Sequence, residues 1–73
     1  MREGRSMARC RIAMRIRRLR LRARFTQEQL ARRVGVTTHT IWRLENSSNI
    51  SARLSTLRGL ARALQVDISE LLA

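Results

Sequence analysis

The chain has no lysine and no proline, one cysteine (Cys10), one histidine (His39) and only two aromatic residues, Phe25 and Trp42. Each shortage removes a class of protein. A single cysteine forms no internal disulfide, and Cys10 with His39 falls short of the four ligands a structural zinc site needs. The lack of proline and of aromatics disfavours an all-β sandwich and an aromatic platform for single-stranded nucleic acid. No apolar run approaches the ~20 residues that span a bilayer. No apolar stretch of ~7–15 residues follows the N-terminal charges, so no secretory signal is expected. Acids are scarce as well: five, against sixteen arginines, for a formal charge of +11 over 73 residues. That length sets a ceiling of one small domain. The sequence holds no nucleophile–base pair, no metal set and no phosphate-cradling loop, so neither catalysis nor a cofactor is expected. What remains is a small, soluble, basic module whose partners are polyanions.

The charge is unevenly placed. Residues 1–24 carry ten arginines and one acid, Glu3, whereas residues 25–73 carry six arginines and four acids. Residues 1–10, with Gly4 and Ser6 and little apolar periodicity, read as a flexible basic arm. Residues 11–73 read as one folded domain. The arm and the first helix are expected to supply most of the sequence-blind, salt-dependent attraction to nucleic acid.

Periodicity predicts five helices and no strand. Ile12, Ile16, Leu19 and Ala23 recur on one face of a first helix over about 11–23. Thr26 with Gln29 three residues on makes a capping box. It opens a second helix over about 27–33 that buries Leu30, Ala31 and Val34, and Gly35 ends it. Val36 plugs the space between helices. Thr37 is the expected N-cap of a third helix over about 38–46, with Ile41 and Leu44 inward. Residues 46–53 are rich in turn formers and read as a loop. A fourth helix over about 54–64 places Leu54, Leu57, Leu60, Ala61 and Leu64 on one face, with its N-cap at Ser51 or position 53. Asp67 and Glu70 form a second capping-box-like start, for a short fifth helix carrying Ile68, Leu71 and Leu72. The fold class is therefore all-α: a compact five-helix bundle.

Residues 26–46 are the informative stretch. Two short capped helices meeting through a tight turn that contains glycine form a helix-turn-helix pattern. Ala31 is small where the helices would cross, and Val36, Ile41 and Leu44 seat the second helix on the core. The outer face of that helix then displays Thr37, Thr38, His39, Trp42, Arg43 and Asn46.

The stretch TQEQLARRVGVTTHTIWRLEN resembles the helix-turn-helix of the phage repressor and Cro-type family, and LSTLRGLARALQV and DISELL resemble that family's fourth and fifth helices. The likeness covers about residues 12–72. It implies a lambda-repressor-like domain that binds double-stranded DNA, acts in the cytoplasm on the nucleoid, and works as a homodimer on a palindromic site. Ile68 and Leu71, in the region of the fifth helix, would serve that dimer. By the same resemblance Thr38, His39 and Arg43 read base edges. Arg43 is suited to guanine because its fork donates to O6 and N7 together. Gln27, Thr37 and Asn46 fall to the DNA backbone, and Trp42, outside the family pattern, either lies against the sugar-phosphate backbone or covers an adjoining apolar surface. Arg20 and Glu45 match an ion pair that ties the first helix to the third. The chain departs from the family at Arg24, Ser47 and Gln65, where glycine is frequent, at Ala52, where proline is frequent, and at Trp42, where a small or polar residue is usual. Gly59, inside the fourth helix, costs about 1 kcal/mol relative to alanine.

The leading reading is a sequence-specific regulator of transcription. Its rivals are an antitoxin-like or adaptor module that binds a partner protein, a non-specific nucleic-acid binder, and a basic helix lying on an anionic membrane.

Overall fold

The computed structural model describes residues 10–47 and 52–72. Among them the chain forms five helices and no strand: α1 (Arg11–Arg22), α2 (Gln27–Val34), α3 (Thr38–Asn46), α4 (Leu54–Leu64) and α5 (Ser69–Leu72). Residues 1–9 of the arm expected over 1–10, and residues 48–51 of the loop expected over 46–53, lie outside the described residues.

The core follows from the apolar stripes. Ile16, Leu30, Ile41, Leu60 and Leu71 are fully buried, with Leu19, Ala31, Leu44, Leu57, Ala61 and Leu64 packed around them. Burying a side chain of the Leu or Ile type contributes roughly 1.5–3 kcal/mol against leaving it in water, so this cluster is the main favourable term for a domain of this size. Five side chains depart from the expected stripes. Ala23 is the exposed cap of α1, not a core residue; Ala13 is buried though it lay outside the expected stripe, and Arg20, expected as the partner of Glu45, is buried with it. Leu54 and Leu72 are about half exposed, at 52% and 50%. Each sits at a helix end, where the apolar face turns off the core.

Start signals act as their chemistry dictates. At α2 the full capping box forms: Thr26 Oγ1 accepts the Gln29 amide at 3.0 Å, and Gln29 Oε1 accepts the Thr26 amide at 2.9 Å. At α3, Thr37 Oγ1 accepts the Thr40 amide at 3.1 Å. Cys10, assigned by the sequence to the arm, is the N-cap of α1. Its Sγ accepts the Ala13 amide at 3.4 Å, and its own amide donates to the Ser47 carbonyl at 3.0 Å. Arg53 occupies the N-cap position of α4 without a side-chain cap bond. At α5 the turn is closed by backbone bonds, Glu70 N to Asp67 O and Leu71 N to Ile68 O, both 2.9 Å, in place of the expected side-chain box.

Three helices stop by one device. Arg24, Gly35 and Gln65 take positive φ (64°, 88° and 59°), and the next residue donates back into the last turn: Phe25 N to Arg20 O, Val36 N to Ala31 O, Val66 N to Ala61 O. This is the Schellman arrangement, in which an apolar residue after the left-handed position packs against the core; Phe25, Val36 and Val66 do so. Only one of the three turns uses glycine. Ser47, the other position where the family often has glycine, is extended instead (φ −81°).

Gly59 has a packing reason. A Cβ built there would lie 3.3 Å from Cγ1 of Val34, so the bare backbone lets α4 press against the end of α2. Val34 is stiff at χ1 and gives way poorly.

Candidate nucleic-acid interface

The helix-turn-helix unit is held from behind by one charged network. Arg20 of α1 reaches Glu45 of α3 with two nitrogens, Nε to Oε2 and Nη2 to Oε1 at 3.1 Å, and its Nη1 donates to the Phe25 carbonyl at 2.7 Å. Gln27 Nε2 adds a fourth bond, to Glu45 Oε1, at 3.2 Å. Glu45 is only 1% exposed and Arg20 8%. A carboxylate taken this far out of water needs its lone pairs filled, and here α1 and the first turn of α2 fill them. The network therefore sets α3 in a fixed register against α1 and α2.

With Ile41, Leu44 and Glu45 inward, the opposite side of α3 faces solvent. Thr38, His39, Trp42, Arg43 and Asn46 are all exposed. Arg43 carries no ion pair or hydrogen bond within the described residues, so its five donors stay available. The rings of His39 and Trp42 stack, 6.0 Å between centroids and 11° from parallel. That half-exposed indole is thereby occupied along its own helix by the imidazole, an arrangement that spacing alone did not suggest.

The backbone-contact residues divide. Asn46 Nδ2 donates to the Trp42 carbonyl at 2.8 Å, which fixes the amide at the end of α3. The Gln27 side chain donates its Nε2 to Glu45 and keeps its Oε1 free of that bond. The Thr37 hydroxyl is engaged with Thr40, as amide cap and hydroxyl partner. Gln27, Trp42 and Asn46 nevertheless line one polar cleft of about 230 Å³, together with Arg20, Glu45 and Arg17. Arg17 was missed by the sequence reading. Its signal was its place one turn before Arg20 on the same side of α1, hidden among nine other arginines of the first 24 residues.

Arg32 pairs with Glu28 across one turn at 3.7 Å, fully in solvent, and Arg33 lies over the Phe25 ring at 5.1 Å. Arg32 is thus engaged along α2 itself, and Arg33 against the turn that precedes it. Among the described residues no group of three or more His, Cys, Asp or Glu side chains is placed to hold a metal, and no helix is long and apolar enough to cross a membrane.

No curated protein matches the chain. Among solved structures, the restriction-modification controller protein C.AhdI from Aeromonas hydrophila superposes with a TM-score of 0.78 at 28% identity, over 84% of this chain and 91% of that one. The family described as the helix-turn-helix domain matches residues 11–73. With the capped α2–turn–α3 unit, the core that seats it and that match in hand, the chain belongs to the helix-turn-helix domain family of DNA-binding proteins.

Proposed function

We propose that this protein is a sequence-specific regulator of transcription that lays α3 in the major groove of double-stranded DNA, with α2 across the backbone. One observation carries the reading. The face of α3 opposite its buried residues is exposed and bears Thr38, His39 and Arg43, while Glu45 behind it is locked by Arg20 and Gln27. A reading head needs this combination of free donors on a fixed helix. Arg43 reads guanine, His39 and Thr38 read neighbouring base edges, and Trp42, Asn46, Gln27 and Thr37 meet the sugar-phosphate backbone. The likeness to a controller protein supports a regulatory role.

A homodimer on a two-fold site suits such a module, with half-sites about 10 bp apart. The expected contact needs amending: Leu71 is fully buried in the domain's own core and Ile68 packs against it. Leu72 is the half-exposed leucine of α5 and replaces Leu71 as the apolar side chain available to a second copy.

The test is selection of binding sites from random duplex DNA, repeated with Arg43→Ala. The expected outcome is an enriched two-fold motif that loses discrimination at one base position, worth about 1–3 kcal/mol, in the variant. Failure to enrich any motif would sink the proposal. A small, uniform loss across all sequences would instead support the non-specific reading.

A further inference from the structure

The arginines of α1 do not form one undivided cloud. Arg17 and Arg20 flank the cleft shared with α3. Arg15, Arg18 and Arg22 line a different hollow, beside Leu19 and Glu70, on the side where α5 packs. Arg11, Arg15, Arg18 and Arg22 recur at i, i+4, i+7 and i+11, which makes a single stripe about 16 Å long. At 3.6 residues per turn the stripe is centred about 130° around the helix from Arg17 and about 170° from Arg20. A duplex held by α3 lies on the Arg17 and Arg20 side, so the stripe points away from it.

We propose that this second arginine stripe binds the phosphate backbone of another duplex, so that one domain bridges two DNA segments. The inference rests on the helix-turn-helix reading for the first duplex. The chemistry favours DNA over an acidic protein. A protein partner draws its energy from buried apolar anchors. Inside this stripe the apolar residue is Leu19, and it belongs to the core, at 8% exposure. Phosphate binding needs evenly spaced cations and no anchor. Guanidinium forks match phosphate oxygens two at a time. One carboxylate, Glu70, stands beside the stripe, against four cations. Arg15 is partly committed: its Nη1 donates to the Glu70 carbonyl at 3.4 Å, and its Nε is buried without a partner. The exposed members, Arg11, Arg18 and Arg22, form the active part of the stripe.

The experiment immobilises a duplex bearing a selected site, loads the full chain, and measures capture of a second, fluorescent duplex of random sequence. Unmodified protein is expected to capture it, with a steep salt dependence. The triple variant Arg11→Gln, Arg18→Gln and Arg22→Gln is expected to weaken the first duplex modestly, through lost long-range attraction, and to lose at least about tenfold more in capture, with a capture salt slope shallower by about 3. Circular dichroism checks that the variant is folded, and a variant limited to Arg18→Gln and Arg22→Gln, smaller in the same sense, serves if the triple change unfolds. Three results would overturn the inference: capture that survives the triple change, as expected when the second recognition helix of a dimer does the bridging; equal losses for both duplexes; or polyglutamate displacing the second duplex as readily as free DNA does. If the unmodified chain holds no duplex at all, the proposed function fails with it, whereas a held first duplex without capture sinks the bridging alone.

Discussion

Arg20 and Glu45 are the two charged side chains buried among the described residues, and they are buried against each other, 25 positions apart in sequence. The pair joins α1 to α3, and Gln27 and the Phe25 carbonyl complete its hydrogen bonding. Replacing Glu45 alone strands a guanidinium in the interior. Glu45→Ala is therefore expected to cost on the order of 3–5 kcal/mol in urea unfolding. Replacing both members by apolar residues of similar volume, as in Arg20→Met with Glu45→Leu, is expected to cost far less. Equal losses for the single and double changes would show that the site's packing matters and its charges do not.

Arg24 and Gln65 hold left-handed backbone without glycine, a conformation that costs an L-residue roughly 1–2 kcal/mol. Arg24→Gly and Gln65→Gly are each expected to stabilise the domain, by about 1 kcal/mol once the added freedom of the unfolded chain is counted. Ser47→Gly is expected to bring no gain, because Ser47 is extended. Chemical denaturation of the three variants gives the order directly, and a gain at position 47 equal to the others would contradict the φ-based account.

Sulfur is a weak acceptor for a helix N-terminus, while a hydroxyl is among the preferred ones. At position 10 the expected stability order is Ser above Cys above Ala, with steps of about 0.5–1 kcal/mol. An alanine variant as stable as the parent would mean that the Sγ contact to the Ala13 amide contributes nothing.

Arg17 lines the cleft beside Trp42 and Asn46. As a phosphate contact it should weaken all sequences alike. Arg17→Gln is expected to lower affinity uniformly and to reduce the salt slope by about 0.9, with the preferred site unchanged. A shift in preference at one base position would mean that Arg17 reads sequence.

Most of the bundle could be read from the chain because its signals are local. Thr26 and Gln29, Gly35 and Thr37 each fix a helix end through atoms a few residues apart, and α3 and α4 run over their expected residues. What escaped depends on chain ends meeting across the fold. Leu54 and Leu72 carry the right period but sit where their helices leave the core, and nothing in the spacing marks that. The turns at Arg24 and Gln65 use the same left-handed device as Gly35; the resemblance marked both as glycine positions, although arginine and glutamine do not themselves advertise the turn. Cys10 looked like part of a tail because the carbonyl that anchors its amide belongs to Ser47. On the candidate site, the displayed residues of α3 were legible from periodicity. The split of α1's arginines into two faces appears only once α3 and α5 are seen to pack on opposite sides of that helix.

The bond from the Cys10 amide to the Ser47 carbonyl has a practical consequence for anyone handling this protein. It brings the chain's entry into the domain to the point where the chain leaves α3, next to Asn46. A dye attached at Cys10 itself therefore sits at the edge of the proposed groove and competes there with the duplex for space.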